Sequence, residues 1–363
     1  MTRSAILLAV LAAGPALCAD FNARAAAAYL DGRQQQWAAW QPATATGVPC
    51  LSCHSSVPYL LARPALRRKL GESKPTEWEA GLLAGVRSRA SRSDTAAFFV
   101  GEKSPQRTEQ LLGTQVILAA LMLARDDAAR GGTLSAEARQ ALDRMWKLQV
   151  RTGPDAGAWK WTAVELDPWE EEDSAFYGAA LAAMATGTAP AGYAAEPEIR
   201  SHVESLRSYL RGAQARQPLH NRLLLLWAST EWRGLVTDAE RREIAEAAFA
   251  AQSADGGWTI QSLGPWRPHP KAPAAQGSSA YATGLTAYTL LRAGWPSDDR
   301  HLRSALAWLQ AQQSRESGYW DGVSMNKRYP DGSMPALFMR DAATAFASLA
   351  LLEADSAQRS ARR

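Results

Sequence analysis

Five stretches of this chain are apolar on every side: "QVILAALMLA" (115–124), "SAFYGAALAAMA" (174–185), "NRLLLLWAST" (221–230), "YATGLTAYTLL" (281–291) and "DAATAFASLALLEA" (341–354). A helix with no polar face has to be covered all round. Between these stretches lie segments with one apolar stripe. "EPEIRSHVESLRSYLRGAQ" puts Ile199, Val203, Leu206 and Leu210 on one side, with Arg and Glu opposite. "TDAERREIAEAAFAAQ" opens with Thr237 and Glu240, the spacing of a capping box. "SDDRHLRSALAWLQAQQ" opens with Ser297 and two acids, and "SAEARQALDRMWKLQ" belongs to the same class. One-sided helices alternating with all-round apolar ones fit two concentric layers, the first kind outside and the second inside. The expected fold is all-α, an α/α toroid. About ten helices follow residue 76, and residues 22–40 and 58–70 add two more, for about five to six hairpins.

The connectors repeat too. Gln149 precedes Trp159 in "LQVRTGPDAGAWKW", Gln252 precedes Trp258 in "AAQSADGGW", and Gln312 or Gln313 precedes Trp320 in "LQAQQSRESGYW". Each pairs a Gln at the end of an outer helix with a Gly-x-Trp or Gly-Gly-Trp beyond it; Gln214 is a degenerate copy without a Trp. Glycine permits the turn, and the Trp packs the helix end while the Gln bonds near it. These residues are expected to hold helices together and to do no chemistry.

Gln…Gly-x-Trp connectors followed by apolar helices such as "YATGLTAYTLLRAG" resemble the QW repeats of squalene–hopene cyclases and the wider terpenoid cyclase and prenyltransferase toroid. The resemblance covers roughly residues 76–355. In that family an Asp in an Asp-x-Asp-Asp-Thr-Ala motif protonates an alkene. The matching place here is "PWEEEDSAFYG", where Glu172 would stand for the proton donor and Asp173 for its neighbour. Adjacent carboxylates raise one another's pKa, as a general acid needs, and Trp159, Trp161 and Trp169 could face a carbocation. The motif here is Glu-rich, and the chain is much shorter than the two-toroid cyclases. The same residues also read as a helix start, with Asp173 or Ser174 as the cap.

A second motif has no place in that family. "GVPCLSCHSS" (47–56) contains Cys50, Cys53 and His54 in the Cys-x-x-Cys-His pattern of c-type haem attachment. The sequence has three cysteines, and Cys18 leaves with a leader cleaved after Ala19. A disulfide across two intervening residues would close a tiny loop and stabilise little. Zinc lacks a second Cys/His pair at finger spacing, and a thioredoxin-like reading lacks its βαβ context. The pattern therefore predicts one covalent haem c, with thioethers at Cys50 and Cys53 and His54 as the proximal iron ligand. Nothing from Ser55 to Leu121 is Met or His, so any distal ligand comes from the larger part; His269, in the Pro-rich "PWRPHPKAPAAQGSS", is the first choice. Tyr59 and Arg63 are in reach of haem propionates by sequence.

"MTRSAILLAVLAAGPALCAD" has an early Arg, an apolar run too short to span a bilayer, and small residues before Asp20, the pattern of a signal peptide. No other segment carries an uninterrupted apolar run long enough to cross a membrane. The formal charge of +4 forms no basic tract, and no nucleic-acid motif appears. The expected organisation is a signal peptide (1–19), a haem-binding segment (20–75), a toroid (76–355) and an exposed tail (356–363). The expected protein is exported to the periplasm, or else secreted or peripheral to a membrane. Its expected function is redox: electron transfer to a partner protein, or oxidation of an apolar, isoprenoid-like ligand. The alternatives are an isoprenoid cyclase or lyase using residues 170–173, and a haem-bearing binding module without catalysis.

Overall fold

The computed structural model describes residues 21–44, 47, 49–92, 104–164, 167–171, 174–267 and 269–361. Among them are thirteen α-helices and no strand ladder. The first is α1 (Ala23–Ala39), followed by one turn of helix, α2 (Gln41–Thr44), and α3 (Ser56–Leu70). Then come α4 (Glu77–Ser91), α5 (Pro105–Arg130), α6 (Ala136–Lys147) and α7 (Ala175–Thr188). The remainder are α8 (Arg200–Ala213), α9 (Leu219–Glu231), α10 (Asp238–Ala250), α11 (Ala280–Arg292), α12 (Arg300–Gln312) and α13 (Phe338–Ala361).

The five all-round apolar stretches lie in α5, α7, α9, α11 and α13, as burial requires. These helices pack on one another in sequence, and α3 closes the ring between α13 and α5. The one-sided α6, α8, α10 and α12 pack outside, as do α4 and α1. The result is six outer–inner hairpins. Both helices of the first hairpin, α1 and α3, come from the 20–75 segment. By composition and length α13 could cross a membrane, yet most of it is buried inside the ring. Beyond Asp355 it continues as an exposed helical end. Residues 1–19, where the leader is expected, lie outside the described residues.

Capping chemistry starts the outer helices where the sequence suggests. Thr237 and Glu240 form both bonds of the capping box, and Ser135 caps α6. For α12 the cap is Asp299, two residues later than Ser297, because its carboxylate reaches two backbone N–H groups of the first turn.

The Gln–Gly–Trp connectors share one geometry. Gln149 Nε2 donates to Gly157 O (3.0 Å) and His202 O (3.0 Å). Gln252 Nε2 does the same to Gly256 O (2.7 Å) and His301 O (2.8 Å). Gln313, rather than Gln312, is the third copy, bonding Gly318 O (2.9 Å) and Asn22 O (3.1 Å). In each copy the Trp indole N–H donates back to a carbonyl of the outer helix just left: Met145, Ala248 and Leu309, each at 2.6 Å. His202, His301 and Asn22 stand at the start of the next outer helix. Each connector thus ties one outer helix to the following one, and the third joins α12 to α1. The three glycines have φ of 97°, 94° and 76°. A side chain there would also strike the next outer helix: a Cβ on Gly157 would lie 2.2 Å from Ser205 O. Gln214 reaches the next outer helix only through the Glu240 side chain.

Candidate functional site

Because outer and inner helices alternate, all six inner helices run parallel and begin on one face of the ring. The Cys-x-x-Cys-His loop lies on that face, immediately before α3. Its backbone is fixed from several elements. Trp37 Nε1 of α1 donates to Cys50 O (2.9 Å), and Gln115 Nε2 of α5 donates to Leu51 O (2.8 Å). Ser52 Oγ accepts from the N–H groups of Ser55 and Ser56. Ser55 Oγ donates to Asp341 Oδ2 of α13 (2.7 Å), and the buried Asp341 also forms an ion pair with Arg33 of α1 (2.7 Å).

The loop's reactive groups face inward. Cys53 and His54 are buried, and Cys50 is half-buried. Burial pushes Cys50 up to about 11 and raises Cys53 as well, so both are thiols at neutral pH. Burial, reinforced by Arg33, lowers His54 to about 3, which keeps it a neutral imidazole. The ring stacks on Phe338 (3.6 Å between centroids), with Trp169 (5.9 Å) and Trp37 (6.0 Å) at its other sides. Among the described residues His54 Nδ1 has no hydrogen-bond partner.

The segment 167–171 forms the next wall. The half-buried Glu170 is hydrogen-bonded to the Cys53 thiol, and burial pushes its carboxyl up to about 7. Trp169 Nε1 donates to Tyr281 Oη (2.9 Å) of α11. That hydroxyl in turn lies 2.8 Å from His220 Nε2 of α9, and His220 Nδ1 lies 3.0 Å from Asn221 Oδ1. Asn221 Oδ1 can only accept, so with this amide orientation the neutral His220 carries its proton on Nδ1 and its Nε2 accepts from the Tyr281 hydroxyl. Burial lowers His220 to about 4.

On the far side of this wall opens a cavity of about 1060 Å³. Arg107 and Gln110, from the first turns of α5, line it together with Trp161, Asp167, Glu171 and Arg267. His269 belongs to this cavity too. Its backbone N–H donates to Met325 O (3.1 Å), and its Nδ1 accepts from Lys271 N (3.0 Å). Trp159 and Trp161, marked in the sequence as possible cation partners, are almost wholly buried there, and both indole N–H groups are already bonded.

Tyr59 and Arg63 sit further along α3 among the chain's own acids. Tyr59 Oη donates to Asp31 (2.8 Å); Arg63 pairs with Asp31 (3.0 Å) and Glu72 (2.7 Å). Glu172 and Asp173 lie outside the described residues. Next to them, Ser174 occupies the N-cap of α7, but its Oγ accepts from Glu171 N instead of capping the helix. Sequence reasoning placed Glu170 only in the acidic run 170–173, without a role of its own, and did not single out Asp341, Arg33 or the Tyr281–His220 pair. One signal was present for Asp341: an acid opening a run with no further charge before Glu353. Nothing in the spacing marks the others, which the ring brings together from distant segments.

The donor set suits a covalently held haem. Two thiols stand at attachment spacing, the following imidazole is neutral with an unpartnered nitrogen, and Trp37, Trp169 and Phe338 supply a dry aromatic surround. Cys50, Cys53 and His54 are the residues that would hold it.

No protein-family model matches the chain, and no curated protein matches it. Solved structures do match. One is a variant of UGL, an unsaturated glucuronyl hydrolase, determined with dGlcA-Glc-Rha-Glc. It is 14% identical, with a TM-score of 0.50, over 91% of this chain and 95% of that one. At that identity the likeness speaks for the fold, and the fold is an α/α toroid.

Proposed function

We propose that this chain is an exported c-type haem protein that carries one haem at the mouth of an α/α toroid and works in redox chemistry. The observation that carries the reading is the Cys50–Cys53–His54 loop: attachment spacing and a neutral, enclosed imidazole, on the face of the ring where the inner helices begin. Cys50 and Cys53 would hold a haem through two thioethers, an addition of each thiol that needs no net oxidation. Bound haem supplies one-electron chemistry. The protein's part is to hold and insulate. His54 would ligate the iron, and the Ser55–Asp341–Arg33 bonds fix the turn that carries it. Trp37, Trp169 and Phe338 exclude water from the imidazole. Trp169 spans from this pocket to the Tyr281–His220 pair. A leader at residues 1–19 directs the chain to the periplasm, where a redox partner protein or a ligand in the cavity exchanges electrons with it.

The test is expression in a periplasm with haem-maturation machinery, followed by oxidised and reduced absorption spectra and haem staining of a denaturing gel. Wild type should stain and the Cys50→Ala/Cys53→Ala variant should not. An unstained wild-type band overturns the reading.

A second reading has its own observation. Glu170, pushed up to about 7, and Glu171 in the cavity wall are carboxyls suited to proton transfer without a haem. Loss of turnover in Glu170→Gln, in protein with an intact fold and no haem, would favour it.

A further inference from the structure

We infer that the cavity at the mouth binds a hydroxyl-rich, saccharide-like ligand and is not a pocket for an apolar chain. The inference deepens the proposed function by naming the ligand class, and it rests on the reading of the mouth as the working face.

Size alone is permissive. At about 1060 Å³ the space reaches the upper end of small-molecule sites and admits a ligand of several rings. The chemistry of the wall is selective. Cationic donors (Arg107, Lys160, Arg267) share one space with carboxylates (Glu109, Asp155, Asp167, Glu171). Neither sign dominates, so a simple anion or cation would meet repulsion as well as attraction. A hydroxyl both donates and accepts, and a ligand carrying many of them can satisfy both kinds of wall at once. Arg107 is pre-positioned: its Nη1 donates to Ala163 O (3.2 Å) and Gln110 Oε1 (3.3 Å), which holds the guanidinium against the wall. The indole N–H of Trp161 is spent on Trp169 O (2.7 Å). Its ring is almost wholly buried, so Trp161 closes the wall and does not compete for a ligand's hydrogen bonds. An isoprenoid would strip water from all these charges and return no hydrogen bond.

The experiment uses the haem-loaded full-length protein and two probes, maltohexaose and geranylgeraniol, with binding read by calorimetry and tryptophan fluorescence. Maltohexaose should bind in the micromolar-to-millimolar range. Arg267→Ala, in an exposed loop, and Gln110→Ala should each weaken it about tenfold or more, the loss expected for a hydrogen bond to a charged or buried polar group. Haem staining and melting temperature should stay unchanged in both variants. Geranylgeraniol binding in place of maltohexaose overturns the inference. So does the absence of maltohexaose binding up to the millimolar range, or binding that neither variant alters. Haem staining of the same samples separates the two failures. Stained protein that ignores the sugar sinks this inference alone; unstained protein that binds it sinks the haem reading and leaves this one standing.

Discussion

The three Gln–Gly–Trp connectors and the mouth of the ring are built from similar residues, but they handle polar groups in opposite ways. In each connector the Gln amide donates twice, its oxygen is taken by the next outer helix, and the indole N–H closes on a carbonyl. Nothing is left over for a ligand. At the mouth, among the described residues, His54 Nδ1 has no partner, burial holds Glu170 above and His220 below their ordinary pKa values, and Cys50 and Cys53 stand outside any disulfide. A set of groups that is already complete holds a fold together. One that is incomplete keeps capacity to bind and react, at a cost in stability.

The comparison can be broken at its strongest point first. Trp320→Ala removes a fully buried indole and the only indole bond of the connector that joins α12 to α1, so it should cost about 3–5 kcal/mol in urea unfolding. A loss under about 1 kcal/mol would mean that the ring closes by other means. Gln252→Ala leaves two carbonyls and His301 without their partner and should cost about 1–3 kcal/mol. Gln214→Ala, in the degenerate copy, loses one contact to a Glu side chain and should cost less than about 1 kcal/mol. If the two Gln variants prove equal, the distinction between complete and degenerate copies is wrong.

The mouth should reveal itself through pH. His220 has a folded pKa of about 4, below the ordinary imidazole value. Between the two values the unfolded chain holds more protons, so the stability from this group is complete above about pH 6.5 and is lost as pH falls toward 4. Glu170 has the opposite sign. Its folded pKa is raised to about 7, so the folded state holds the extra proton, and its contribution falls as pH rises from about 4.5 to 7. Denaturation midpoints measured across pH 4–7.5 should lose the acid-side slope in His220→Gln and the opposing slope in Glu170→Gln. Matching profiles for wild type and both variants would show that these groups are not enclosed as described.

The ring itself was legible in the sequence because its signals are local. Helices such as α7 and α11 are apolar all round and could only be inner, and the connectors announced their own period. Gln313 in place of Gln312, and Asp299 in place of Ser297, are the small differences that backbone geometry decides. The Cys-x-x-Cys-His pattern was legible for the same reason, since Cys50, Cys53 and His54 fall in one short stretch. Its surroundings were not. Glu170, Tyr281, His220 and Asp341 come from four inner-helix starts spread over 170 residues of sequence, and only closure of the ring makes them neighbours. Arg63 looked like an anion binder by position, yet its partners Asp31 and Glu72 are set by the packing of α1 on α3.

The most direct test of the central claim is mass spectrometry of the peptide that spans Cys50 to His54, taken from protein matured in a haem-competent periplasm. The account predicts a single peptide heavier by one haem, with neither cysteine open to alkylation. A peptide of unmodified mass with two alkylatable thiols, or with a Cys50–Cys53 disulfide, would contradict it.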